Sequence, residues 1–210
     1  MLVNIGNEVG DESVGDGQFV SGYTNAVQRM RNAGIHTPLV IDAPDWGKNL
    51  DTLNNTAAQL LAADPDHNLI FSVHMYWGMA DGADAQFIKD AFANAVAANY
   101  PLIVGEFSKA GAYDPNVGDS SCKSGGYIDY QTIIQQCAQY GIGWYAWEWG
   151  PGNIYGGPGC DLMDMTTDST FANLKAGWAK EVALTSPYSI KNTAQSLLLS
   201  LIHLSEPTRH

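Results

Sequence analysis

Basic residues are scarce in this chain. Ten Lys and Arg stand against 22 Asp and Glu in 210 residues, for a formal net charge of -12. A nucleic-acid surface needs a basic stripe, and the chain has none. An anionic membrane surface would repel it. Charged residues of either sign reach only 15%, against about a quarter in an ordinary domain. No run of about 18 apolar residues is present, so no transmembrane helix is expected. Cysteine is limited to Cys122, Cys137 and Cys160, with no CxxC and no Cys/His metal spacing. No glycine-rich phosphate loop follows an apolar run: Gly150-Pro151-Gly152 leads into no helical pattern for many residues. No signal peptide precedes the first apolar run, Leu2–Gly6, which begins one residue after Met1. The N-terminus is therefore expected to be cut.

What is abundant is apolar and aromatic. Apolar residues make up 45%, with 22 Gly, 6 Trp and 10 Tyr. That is enough for one packed domain, and the charge suits a neutral or cationic partner, sugars among them. Five apolar runs recur every 30 to 40 residues: Leu2–Gly6, Leu39–Ala43, Leu69–Val73, Leu102–Gly105 and Ile142–Ala146. Strands apolar throughout are buried on both faces, as in parallel sheets. Helical stripes fill the intervals: Val20/Tyr23/Val27/Met30, Leu50/Leu53/Ala57/Leu60/Leu61, Phe87/Ala91/Ala95, Ile133/Ile134/Cys137 and Phe171/Leu174/Trp178/Val182. Alternating strands and helices predict right-handed βαβ units and the α/β class. A closed (β/α)8 barrel takes about 250 residues. Five units therefore mean either an open sheet or the C-terminal part of a barrel without its first three units.

The tail departs from the pattern. Leu197–Ile202 is an apolar run with no partner strand, and residues 199–209 resemble the translation of a DNA-sequencing adapter. The division expected is residues 1–192 as catalytic barrel and 193–210 as a tail, non-native or disordered, with no function. Cys122 and Cys160, both in glycine-rich loops, are candidates for a disulfide; Cys137, in a helical stripe, reads as a buried thiol.

Ligands of parallel α/β sheets bind at the carboxyl ends of the strands. The five runs end in Asn7-Glu8, in Asp42 running on to Trp46, in His74-Met75-Tyr76-Trp77, in Glu106, and in Trp147-Glu148-Trp149. One rim thus collects two carboxylates from non-neighbouring strands among His, Tyr and Trp. Glycoside hydrolysis needs that pair: one carboxyl gives its proton to the leaving oxygen, and the other attacks or stabilises the anomeric carbon. Their environments must hold the two protonation states apart. Singly, each residue has a plainer reading: a solvated strand-end Glu, a turn-forming Asn7, a core His74, a core Trp147, a loop-packing Trp77. The shared register of Glu8, His74 and Glu106 just past buried strands favours the functional reading. Asp42, taken as a helix-side structural acid, and Glu148, expected to point opposite to its flanking Trp by strand alternation, are weaker candidates.

The motifs NIGNE (4–8), DAPDWG (42–47), HMYW (74–77), VGEF (104–107) and WYAWEW (144–149) resemble the second half of the barrel of glycoside hydrolase family 5. The bacterial endo-β-1,4-mannanase branch is nearest, and cellulases are neighbours. The likeness runs from residue 2 to about 192. It implies a partial (β/α)8 TIM barrel containing the family's strands four to eight. It implies a retaining hydrolase of a β-1,4-linked plant-type polysaccharide, β-mannan first, with an endoglucanase or a non-catalytic carbohydrate-binding fragment as alternatives. By resemblance Glu8 is the acid/base, Glu106 the nucleophile, Asn7 the partner of the 2-hydroxyl and Tyr76, beside His74, the residue orienting the nucleophile. Trp149 is the sugar platform and Trp46 a cleft-side Trp. The carboxyl groups should lie about 5–5.5 Å apart. The resemblance implies no metal or cofactor, a polysaccharide partner, an extracellular location, and a monomeric full-length parent. Two departures stand out: Val9 follows the NE pair where the family has proline or an aromatic, and the strands that carry a family arginine near the nucleophile are missing.

Overall fold

The computed structural model describes residues 1–111, 127–152 and 160–194. Five strands, β1 (Val3–Asn4), β2 (Leu39–Asp42), β3 (Leu69–His74), β4 (Leu102–Glu106) and β5 (Gly143–Trp144), alternate with α1 (Asp16–Asn32), α2 (Leu50–Ala63), α3 (Ala85–Ala98) and α4 (Tyr130–Tyr140). All pairings are parallel and the spatial order is β1-β2-β3-β4-β5. A doubly wound sheet reverses its strand order; this one does not. Right-handed crossovers in unbroken order put every helix on one face, and α1 packs on α2, α2 on α3 and α3 on α4. This is the winding of five consecutive βα units of a (β/α)8 barrel.

The apolar runs explain the centre of the sheet. All four residues of β2 are buried, and so are five of the six in β3. β1 and β5 are two-residue edges that are only partly buried, shorter than their five-residue apolar runs because an edge strand has a ladder partner on one side only. Helix starts follow capping chemistry. Asn49, Asp84 and Asp129 accept backbone N–H bonds from Thr52, Phe87 and Thr132 at 3.1, 2.9 and 3.1 Å. Gly141 closes α4 with φ +68°, a conformation that costs glycine little.

Phe19, Tyr23 and Val27 of α1, Leu53, Ala57 and Leu60 of α2, and Ile88, Phe92 and Ala95 of α3 pack onto Leu39, Ile41, Phe71, Val73 and Val104. Two expectations are corrected. Phe87 is half exposed, and the stripe of α3 runs through Ile88 and Phe92 to the expected Ala95. The last stripe is no continuous helix: Phe171–Asn173 is a 3₁₀ turn, followed after a break by one α turn, Trp178–Lys180, and a π turn, Glu181–Thr185. Gly177, at φ +76°, breaks the periodicity between them. Only Ile190–Thr193 begins to reach the expected tail, and residues 195–210 lie outside the described ones.

At the amino ends of β2 and β3, Arg31 of α1 is buried against Asp64. Its Nε and Nη2 donate to the two carboxylate oxygens at 2.8 and 2.9 Å, and it also donates to the carbonyls of Ile35, Thr37 and Asn68. Cys137 is a buried free thiol and Cys160 is disulfide-bonded; the expected partner, Cys122, lies outside the described residues.

Candidate active site

Asp42, His74 and Glu106 are the last residues of β2, β3 and β4. Glu8 sits in the turn after β1 with φ +51°. His74 and Glu106 are partners across the sheet, next to a register irregularity at Val73/His74. The parallel register therefore delivers these side chains to one rim. A donor atom from each of Glu8, His74 and Glu106 lies within 4.8 Å of the others. Both glutamates remain partly accessible, while the His74 ring is almost fully buried between them.

His74 is the hub. Its Nδ1 lies 2.8 Å from Glu8 Oε1 and 3.7 Å from Glu106 Oε1, and its Nε2 lies 3.5 Å from Asp42 Oδ1. Burial alone would lower its pKa, but the nearby Asp42 carboxylate, the hydrogen bond with Glu8 and the charge of Glu106 raise it to about 9. The ring is an imidazolium at neutral pH. As a donor it bonds Oε1 of Glu8.

Burial raises the pKa of Glu106, and the neighbouring charges of Glu8 and Asp42 act the same way. The His74 cation and the Tyr76 hydrogen bond offset only part of the rise. The Tyr76 hydroxyl donates to Glu106 Oε2 at 2.7 Å. Burial, with the charge of Glu106, holds the Tyr76 phenol far above its ordinary pKa, so the hydroxyl stays a donor. Asp42 is fully buried. Burial would raise its pKa, but the His74 ring 3.5 Å away and the hydrogen bond from Asn4 outweigh it and leave the carboxyl below its ordinary value.

The two glutamates open onto a cleft of about 1040 Å³ lined by Asn7, Trp46, Tyr76, Trp77, Phe87 and Trp147, among others. The Trp46 amide donates to the carbonyl of Gly10, which ties the β2 loop to the β1 loop, and Lys48 Nζ lies 5.5 Å above the Trp46 ring. Trp77 donates its indole N–H to the Lys48 carbonyl and meets Phe87 edge-on.

The expected platform, Trp149, is not among the lining residues. Its ring stacks on Phe171 and its indole N–H donates to the Ser169 carbonyl at 2.9 Å. Trp147, two residues earlier, lines the cleft instead. Burial, helped by the charge of Asp164, raises the pKa of Glu148. Asp42 is corrected from a helix-side acid to a residue beneath the site. Phe87 and the role of Asp42 escaped sequence reasoning, while Trp77, carried by the HMYW motif at the strand end, is weighed there only as a loop-packing residue and proves to line the cleft.

The family model for cellulase (glycosyl hydrolase family 5) matches residues 1–153. The chain belongs to glycosyl hydrolase family 5. This family 5 chain is 35% identical over 154 residues to a mannan endo-1,4-beta-mannosidase of Cellvibrio japonicus, covering 71% of the chain and 31% of that relative. It is 33% identical over 167 residues to one of Streptomyces lividans, covering 79% and 38%. The mannohexaose complex of Thermomonospora fusca β-mannanase superposes with a TM-score of 0.74 at 32% identity, over 94% of the chain and 59% of that structure. The family 5 chain thus spans under two fifths of these two curated relatives and about three fifths of the solved enzyme. Its five parallel strands correspond to part of that barrel.

Proposed function

We propose that this chain carries the catalytic pair of a retaining endo-β-1,4-mannanase. The observation that carries the reading is the approach of the Glu8, His74 and Glu106 donor atoms to within 4.8 Å of one another. Retention needs carboxyl groups about 5–5.5 Å apart, whereas inversion needs about 6.5–9.5 Å to admit a water.

Glu106 attacks the anomeric carbon, and the bond to the leaving sugar breaks as its oxygen takes the proton of Glu8. The resulting Glu8 carboxylate then removes a proton from water, whose oxygen attacks the same carbon and frees Glu106 as a carboxylate. Tyr76 orients Glu106 by its hydrogen bond. Asn7 binds the 2-hydroxyl, and Trp46 and Trp147 offer ring faces to the sugar. Trp149, away from the cleft lining, is left the role of a support. The mannosidase relatives favour mannan over glucan, and a polymer of that size calls for an enzyme acting outside the cell. The endoglucanase reading keeps one support, the cellulase family model itself.

The test is reducing-sugar release by the folded chain from β-1,4-mannan and from carboxymethylcellulose, with the first-formed anomer read by NMR. Faster release from mannan with retained β configuration, lost in Glu106→Ala, is the expected result. An inverted product, near-normal turnover by Glu106→Ala, or no release from either polymer would overturn the reading.

A further inference from the structure

Asp42 touches three parts of the site at once. Its Oδ2 accepts from Asn4 Nδ2 at 3.0 Å and from the backbone N–H of Glu8 at 3.1 Å, while its Oδ1 faces His74 Nε2 at 3.5 Å. The Glu8 it holds is in a left-handed conformation, φ +51°, which a non-glycine residue adopts only when its surroundings impose it. The side chain is wholly shielded from solvent. The His74 ring is wedged between two glycines. A Cβ on Gly47 would come within 2.6 Å of the ring, and one on Gly105 within 3.0 Å of Nε2. The ring has no room to turn away from Asp42.

We infer that Asp42 is a positioning residue for the acid/base: through one carboxylate it pins the Glu8 backbone turn and fixes the His74 ring whose other nitrogen holds the Glu8 carboxyl. The groups within ion-pairing reach of that ring, among the described residues, are Asp42 from β2, Glu8 from the β1 loop and Glu106 from β4; all three are carboxylates. Three buried or half-buried acids at one rim repel one another, and a single cation held in their midst offsets that repulsion. Asp42 is the only one of the three that the hydrolytic cycle leaves free of proton transfer and covalent bonding, so it can hold the cation in place throughout. For its effect on turnover the inference rests on the hydrolase reading above; for the state of His74 it does not.

The experiment follows His74 by ring-nitrogen NMR in the wild-type chain and in Asp42→Asn, which keeps the shape and removes the charge. In the wild type both ring nitrogens carry protons at pH 7. In Asp42→Asn the His74 titration midpoint falls by roughly one to three pH units, the scale of a lost neighbouring charge. The kcat on mannan drops on the order of 10- to 100-fold, as for small misplacements of a catalytic group, while KM stays within about twofold because no sugar contact is removed. Asp42→Glu, which returns the charge, recovers part of both. A neutral His74 in the wild type at pH 7 overturns the inference without recourse to any variant, should Asp42→Asn fail to fold. An unmoved His74 titration in folded Asp42→Asn overturns it even if mannan is hydrolysed. A shifted titration in a chain that cleaves no polymer upholds the positioning role and sinks the hydrolase reading alone.

Discussion

The Tyr76 hydroxyl donates to Oε2 of Glu106 at 2.7 Å, while the other oxygen of Glu106 faces the His74 cation at 3.7 Å. Glu106 is thus held by a hydrogen bond on one side and faces a cation on the other. Burial still leaves its pKa raised, so the Tyr76 bond is one of the two restraints on protonating it too early.

Tyr76→Phe removes the bond and keeps the ring. A hydrogen bond to the ionised form lowers a carboxyl pKa, so its loss raises Glu106 further. The acidic limb of the pH profile of kcat/KM moves to higher pH, and kcat at the optimum falls roughly 10- to 100-fold, the loss of a hydrogen bond to a charged group. A profile with an unmoved acidic limb would refute this role for Tyr76.

The two Trp of β5's extension separate cleanly. Trp147→Ala removes a ring from the cleft wall, and KM on mannan rises by on the order of 10-fold, apolar burial of about 1.5–3 kcal/mol being lost. Trp149→Ala breaks the contact with Phe171 and the bond to Ser169 and changes KM by less than about threefold. Steady-state kinetics on one mannan preparation decides; a larger KM effect at Trp149 would return the platform role to it.

Far from the rim, Arg31 and Asp64 tie stability to pH. Hydrogen bonding to Arg31 holds the Asp64 carboxyl down at about 2, against burial. A depressed carboxyl contributes stability that is complete above its unfolded pKa of about 4 and is lost as pH falls toward 2, a contribution of about 2 kcal/mol. Urea unfolding at pH 7, 4 and 2.5 reads that loss. Arg31→Met leaves a buried acid unpaired, so it lowers stability at pH 7 by about 3–5 kcal/mol and flattens the acid dependence. A variant as acid-sensitive as the wild type would refute the pairing.

Gly47→Ala combines a positive φ of +82° with a Cβ only 2.6 Å from the His74 ring. The left-handed conformation costs about 1–2 kcal/mol and the overlap about 1–3 kcal/mol more. Thermal unfolding should fall accordingly and activity should drop further, because the displaced ring is the one that holds Glu8. Full activity in a destabilised variant would show that ring placement is loose.

Composition and spacing alone determined the five strands, the four helices between them and the positions of Glu8, His74 and Glu106 just past buried strands. The reason is local: an apolar run long enough to cross a buried sheet, followed by a polar residue, places that residue at the rim whatever the packing. Tertiary structure decided what distance and field decide. Phe171 and Ser169 hold Trp149 while Trp147 faces the cleft, a division that no spacing in the sequence announces. Asp42 reads from sequence as an ordinary strand-end acid, and only the register of β1, β2 and β3 brings it under Glu8 and His74. The charge on His74 is a property of three carboxylates converging from distant parts of the chain, and no stretch of sequence contains that sum.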